Sequence, residues 1–290
     1  MKPARALARL SLAAALLVVA TPSPSFAAGP PVTDYTLTVD GQTATGRAVL
    51  PTGSPTVLVV FCHGFGGAAN NFDGYLADAS NRGYAGVSMD YRGAQGAWKV
   101  RTGWRDTVAA TQDMKARYPS ITTTIIWGIS MGGEVSGLSV AYAPPGTYQY
   151  WVEDAGVENL VEEWATVPGF QGAIQAETGG TPADVPQAYV DRSPIAQVAG
   201  IAAQGLRRAF VNHAAGDTVV TPTQAQEMSA ALVAARVPVS TYTWAGTGHV
   251  GGWGYQEVVE KAQGLPDWPA PLVEGVIGPT GFVPQTSSPV

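Results

Sequence analysis

Along the chain, short alternating or continuous apolar runs are interleaved with stretches of helical spacing, the pattern of strands alternating with helices. Residues 35–39 alternate polar and apolar, reverse at Asp40-Gly41 and continue in an extended stretch ending at Leu50-Pro51, which predicts an antiparallel hairpin. Residues 57–62, Val-Leu-Val-Val-Phe-Cys, are continuously apolar, as expected of a parallel strand covered on both faces. Residues 71–81 read as a helix followed by Gly83, and residues 85–90 as a strand. Trp104, Val108, Thr111, Met114 or Lys115, and Tyr118 share one face of a helix that stops before Pro119. A β-branched run over residues 121–127 predicts the next strand, and residues 132–142 the next helix. Further strands are expected near 148–152, 208–213 and 239–244, with helices over 223–235 and 255–263. No internal repeat is present, and the Pro- and Gly-rich residues 266–290 read as an irregular tail.

Length and composition place this alternation in one large α/β domain over residues 28–265. The chain has 290 residues, 46% hydrophobic and 13% charged, enough for a sizeable core. Its beginning has a different character. Lys2, Arg5 and Arg9 precede a small and apolar run from Leu10 to Ala20, then a Thr-Pro-Ser-Pro break and Ser25-Phe26-Ala27-Ala28. This is the layout of a signal peptide over residues 1–27, so the protein is expected to be secreted. The run is too short for a permanent membrane anchor. Losing three of 16 basic residues and none of the 22 acidic ones leaves a formal charge of −9. Such a chain repels polyphosphate backbones, so nucleic acid is not an expected partner. The single cysteine, Cys62, excludes an intramolecular disulfide and reads as a packing residue.

The candidate chemistry lies at predicted strand ends. Gly128-Ile129-Ser130-Met131-Gly132 is a G-x-S-x-G between a buried strand and a small-residue helix, the strand–elbow–helix of a serine hydrolase. Asp217 follows the strand over 208–213, and His249 lies in Gly246-Thr247-Gly248-His249 after the strand over 239–244. In a parallel sheet those ends share one edge, so the three side chains can converge. The chemistry needs this set: an imidazole must take the serine proton, and a carboxylate must orient the imidazole. His63-Gly64-Phe65-Gly66-Gly67 follows the apolar strand over 57–62, which makes Phe65 N–H and Met131 N–H the candidate oxyanion donors. His63 and His213 read as structural, Glu134 as a carboxylate favoured by the helix N-terminus, and no metal-ligand spacing occurs.

Together, His63-Gly64-Phe65-Gly66-Gly67, the Ser130 elbow, Asp217 and Gly248-His249 resemble the α/β-hydrolase superfamily from residue 55 to 263. Tyr189-Val190-Asp191-Arg192-Ser193-Pro194 followed by His213-Ala214-Ala215-Gly216-Asp217 is similar to the catalytic domain of prolyl-oligopeptidase-type peptidases and their esterase relatives. The resemblance implies an α/β-hydrolase fold: a mostly parallel central sheet, helices on both faces and a lid-like insertion, here about residues 156–205. It also implies hydrolysis through an acyl-serine without a cofactor. Some relatives place their acid one strand earlier, so Asp154 is the alternative to Asp217. Glu153 and Asp154 are otherwise candidate substrate-facing acids. Phe65, Trp98, Trp253 and the insertion's Trp164, Phe170, Ile174 and Tyr189 could line an apolar pocket, or the last four could pack the insertion. The expected substrate is a small-molecule or polymer carboxylic ester. A prolyl-oligopeptidase-type peptidase and a non-catalytic hydrolase-fold binding protein are the alternatives.

Overall fold

A computed structural model describes residues 29–94 and 96–249, apart from the side chain of Trp244, and the backbone of residues 275–278 and 281–284. The hairpin forms as expected: β1 (Thr33–Val39) and β2 (Gln42–Val49) pair antiparallel across Asp40 and Gly41, which take φ of 51° and 74°. Two successive positive φ values give the turn whose twist matches the strands it joins. The remaining core strands are β3 (Val57–Cys62), β4 (Ala85–Met89), β5 (Thr123–Ile129), β6 (Tyr150–Asp154), β7 (Arg208–Ala214) and β8 (Val239–Trp244). The sheet order is β1-β2-β4-β3-β5-β6-β7-β8, continuing into β9 (Gly275–Gly278) and β10 (Gly281–Pro284). From β4 to β9 every neighbouring pair is parallel.

The alternation of β3 explains the layers. Leu58, Val60 and Cys62 join one buried cluster, which includes Ala110 and Met114 of α2 (Val100–Arg117) and Val135 and Leu138 of α3 (Met131–Tyr142). Val57, Val59 and Phe61 join the other, with Leu76 and Ala79 of α1 (Asp73–Asn81). Helices therefore cover both faces, and a strand wet on neither face has no reason to alternate polar with apolar. Residues 131–140 of α3 are buried on all sides, as befits a helix with almost no polar face. Among the described residues no helix is long and apolar enough to cross a membrane.

Between β6 and β7 the chain forms short helices: α4 (Leu160–Thr166), α5 (Gln171–Thr178), α6 (Pro186–Val190) and α7 (Val198–Ala203). The final described helix is α8 (Pro222–Ala234). Two readings of the sequence change. β6 (Tyr150–Asp154) is shifted two residues from the strand expected near 148–152, so Glu153 and Asp154, its last two residues, pair with Val211 and Asn212 inside the sheet. Their charge conceals the strand's continuation, because buried acids are not expected in a strand interior. The tail over 266–290, expected to be irregular, contains the β9–β10 hairpin. Its Val-Ile and Phe-Val pairs are too short for a periodicity to register among the surrounding Pro and Gly. The helix expected over 255–263 and Trp253 lie outside the described residues.

Candidate active site

The turn at Ser130 is built by strain and close approach. Ser130, directly after β5, takes φ 58° and ψ −127°, a conformation costly for a residue with a side chain and characteristic of functional sites. The turn is held by Ser130 N–H donating to Asp154 O (3.1 Å) and Gly133 N–H to Ser130 O (2.8 Å). The flanking glycines are required. A Cβ on Gly128 would stand 2.0 Å from Gly132 O, and one on Gly132 would stand 2.0 Å from Cys62 O. Only hydrogens fit there.

Asp217 and His249 meet across two neighbouring loops. Gly216 N–H donates to Gly246 O at 2.8 Å, clasping the loop after β7 to the loop after β8. Asp217 Oδ1 accepts from Val219 N–H (2.8 Å) and Val220 N–H (3.3 Å), and Asp217 Oδ2 lies 2.8 Å from His249 Nδ1. The carboxylate side chain is fully buried and the imidazole 21% exposed. A carboxylate partner puts the proton on His249 Nδ1, leaving Nε2 as an acceptor. Nε2 is buried and has no partner among the described residues. The acid facing His249 Nδ1 is thus Asp217, not the alternative Asp154.

The loop after β3 abuts Ser130. Gly67 N–H donates to Gly64 O at 3.1 Å, and Gly66 takes φ 74°, the left-handed value a type II turn needs. A Cβ on Gly64 would stand 3.2 Å from Ser130 Cβ and 3.7 Å from Ser130 Oγ, so Phe65 N–H belongs to the backbone beside Ser130. Met131 opens α3, and helix geometry leaves its N–H without an intrahelical acceptor. His63 stacks on Tyr91 at 4.1 Å with Nδ1 2.8 Å from Gly64 O, tying this loop down.

An aromatic wall adjoins the same loop. Phe65, Trp98 and Phe170 form a triangle with ring centroids 5.3–5.5 Å apart. Trp98 Nε1–H donates to Glu134 Oε2 at 3.0 Å, which fixes the indole. Of the insertion's four aromatic and apolar candidates, Phe170 reaches this wall, whereas Ile174 and Tyr189 are fully buried as packing residues. Trp164 is partly buried against the core.

Glu153 and Asp154 are not presented to a substrate. They are 0% and 1% exposed, and Gly156 N–H donates to Glu153 Oε1 beneath the elbow. Glu134 and Glu158 are fully buried nearby, and both Glu158 oxygens lack a hydrogen-bond partner among the described residues. Burial first, then repulsion from its neighbour Glu158, holds Glu153 well above the usual carboxylate range; burial, then Glu134, does the same for Glu158. The sequence reading gave Glu134 and Glu153 other roles and passed over Glu158 and the burial of these acids together, for which the only signal was an unusual density of Glu within apolar stretches. Cys62 is inert: burial pushes its thiol up to about 12. Among the described residues no cluster of His, Cys, Asp or Glu is arranged to hold a metal.

A parallel sheet with a strained serine elbow defines an α/β-hydrolase fold, and its chemistry class is serine hydrolase. More closely, the chain belongs to the prolyl oligopeptidase family, which it matches over residues 68–270. No curated protein sequence matches it. Among solved structures it is similar to Pyrococcus horikoshii acylaminoacyl peptidase, at TM-score 0.63 and 16% identity, covering 75% of this chain and 37% of that one. It is similar to puromycin hydrolase at TM-score 0.65 and 18% identity, covering 79% and 37%. A mutant of the esterase rPPE aligns at TM-score 0.56 and 20% identity, covering 74% and 73%. The chain therefore spans little more than a third of the two peptidase-type structures.

Proposed function

We propose that this protein is an exported serine hydrolase that cleaves carboxylic esters through an acyl-serine intermediate. The carrying observation is the Asp217–His249 pair, set on the same sheet edge as strained Ser130. Ser130 Oγ attacks the ester carbonyl as His249 Nε2 takes its proton. Phe65 and Met131 N–H donate to the oxyanion of the tetrahedral intermediate, a contribution typically worth ~3–4 kcal/mol per donor. The intermediate expels the alcohol, which receives the proton from His249. Water then repeats the sequence on the acyl-serine, releasing the acid and restoring Ser130. Residues 1–27 support export by their charge and apolar layout.

Two features favour esters. An alkoxide leaves a tetrahedral intermediate far more readily than an amine, so amide cleavage demands tight anchoring of the substrate. The acidic pair that could hold a free amino terminus, Glu153 and Asp154, is buried, while Phe65, Trp98 and Phe170 offer an apolar wall for an acyl or aryl group.

A peptidase reading has its own support in the family and in the named activities of acylaminoacyl peptidase and puromycin hydrolase. A side-by-side panel separates the two. Hydrolysis of p-nitrophenyl butyrate should exceed that of p-nitroanilides with free N-termini, X-Pro and cationic residues included, by a wide margin in kcat/KM. Efficient cleavage of any such anilide would replace the esterase reading with the peptidase one.

A further inference from the structure

The Asp217 carboxylate faces two imidazoles. His213, the penultimate residue of β7, lies with Nε2 2.9 Å from Val220 O and 3.2 Å from Asp217 Oδ2. Its side chain is 2% exposed. Both neighbours of Nε2 are acceptors, a carbonyl and a carboxylate, so Nε2 carries a proton. Nδ1 is buried without a partner among the described residues, which suits a bare ring nitrogen and would be costly for an N–H or an imidazolium. Burial pushes His213 below the usual imidazole range, in agreement with a neutral ring.

Resting on the triad reading above, we infer that His213 is a positioning residue, whose Nε2–H, shared between Val220 O and Asp217 Oδ2, orients the triad carboxylate. Asp217 Oδ1 is filled by the Val219 and Val220 N–H groups, and Oδ2 takes one imidazole from each side. The same ring bridges the start of the loop, at His213, to its end, at Val220. Three titratable groups meet in this network: Asp217 from the loop after β7, His249 from the loop after β8, and Glu163 of α4, whose carboxyl is held protonated by burial and then by the Asp217 charge. Removing the His213 donor leaves a barer carboxylate beside His249. A barer carboxylate stabilises the imidazolium of His249, so the acid limb of the pH–rate profile moves to higher pH. A carboxylate held at Oδ1 alone also orients the base less well, which lowers kcat and leaves KM unchanged because His213 touches no substrate.

The test compares kcat and KM for p-nitrophenyl butyrate across pH in wild type, His213→Leu, His213→Gln and His213→Asn. His213→Leu should lose about tenfold or more in kcat, the order expected of a hydrogen bond to a charged group. Its acid limb should rise by about half a unit with KM held. His213→Gln, whose amide N–H reaches the place of Nε2, should restore both, while His213→Asn, one bond short, should not. Nitrogen-15 histidine spectra of intact wild type should show a neutral Nε2–H ring, and they decide the matter if His213→Leu does not fold. A folded His213→Leu with an unmoved acid limb, or an Nδ1–H ring in wild type, overturns the inference. Ser130 labelling by a fluorophosphonate separates the two claims: unlabelled wild type ends the triad reading and this inference together, whereas a labelled enzyme with an unmoved limb ends this inference alone.

Discussion

At the scale of single residues, the site rests on positions where no other residue type fits. A Cβ on Gly132 would press into Cys62 O, the last carbonyl of β3, and a backbone carbonyl cannot swing aside as a side-chain tip can. Gly132→Ala should therefore lower the yield of folded protein and the Tm, read by thermal denaturation, and not merely slow turnover. Asp217→Asn is the opposite case. It preserves shape but sets the wrong His249 tautomer, so kcat should fall by roughly 10⁴-fold with Tm nearly unchanged. The strained turn at Ser130 and the meeting of Asp217 with His249 were legible because each of the three follows a predicted strand, and glycines at 128, 132 and 216 mark the tight approaches. Glu153 and Asp154 were misread because sequence polarity says nothing of a side chain buried under a turn. The contact of His213 with Asp217 was hidden for a similar reason: four residues of separation do not reveal that the loop folds back.

Among the elements, β6, α3 and α4 share an unusual feature, acids facing inward. Glu163 of α4 accepts from Gln224 Nε2 at 3.0 Å, yet burial, with Asp217 and Glu162 adding repulsion, raises its pKa to about 8. An unfolded chain gives up this proton near the ordinary value of 4.5, while the folded chain keeps it until about 8. The folded state thus loses stability as pH rises through that window, and the penalty is absent below about 4.5. Glu163→Gln keeps an acceptor for Gln224 and cannot ionise. Its Tm should match wild type near pH 4 and exceed it by several degrees at pH 9, given ~2–4 °C per kcal/mol for a domain of this size. Equal Tm differences at both pH values would mean the carboxyl is not held protonated. The elements themselves were largely legible, since β3, β5 and β8 are plain apolar or β-branched runs. The helix of α2 was legible too, but its buried face runs through Gly103, Thr107, Ala110 and Met114, leaving Trp104 and Val108 half-buried at its margin because small and polar residues fill the closest approach. The boundary of β6 and the β9–β10 hairpin were not, because in one the charge and in the other the Pro and Gly mask short stretches of strand.

For the whole molecule, the parallel sheet turns residues far apart in sequence into one edge: positions 65, 130, 217 and 249 all follow strands that run the same way. The alternation of strands and helices was enough to anticipate this shared edge, because parallel strands bring their C-terminal ends together whatever their loops contain. What it could not supply was the packing of the segment between β6 and β7, whose short helices carry no strong periodicity. Its Phe170 completes the wall with Phe65 and Trp98, so Phe170→Ala should raise KM for p-nitrophenyl butyrate severalfold more than for p-nitrophenyl acetate, measured by steady-state hydrolysis. Everything proposed for this site requires Ser130 to be an activated nucleophile, which is measured by reacting the protein with a fluorophosphonate at neutral pH and locating the adduct by peptide mass spectrometry. One adduct on Ser130, lost in Ser130→Ala and formed far more slowly in His249→Ala, is the expected result; a folded protein that remains unlabelled, or is labelled at another residue, would contradict it.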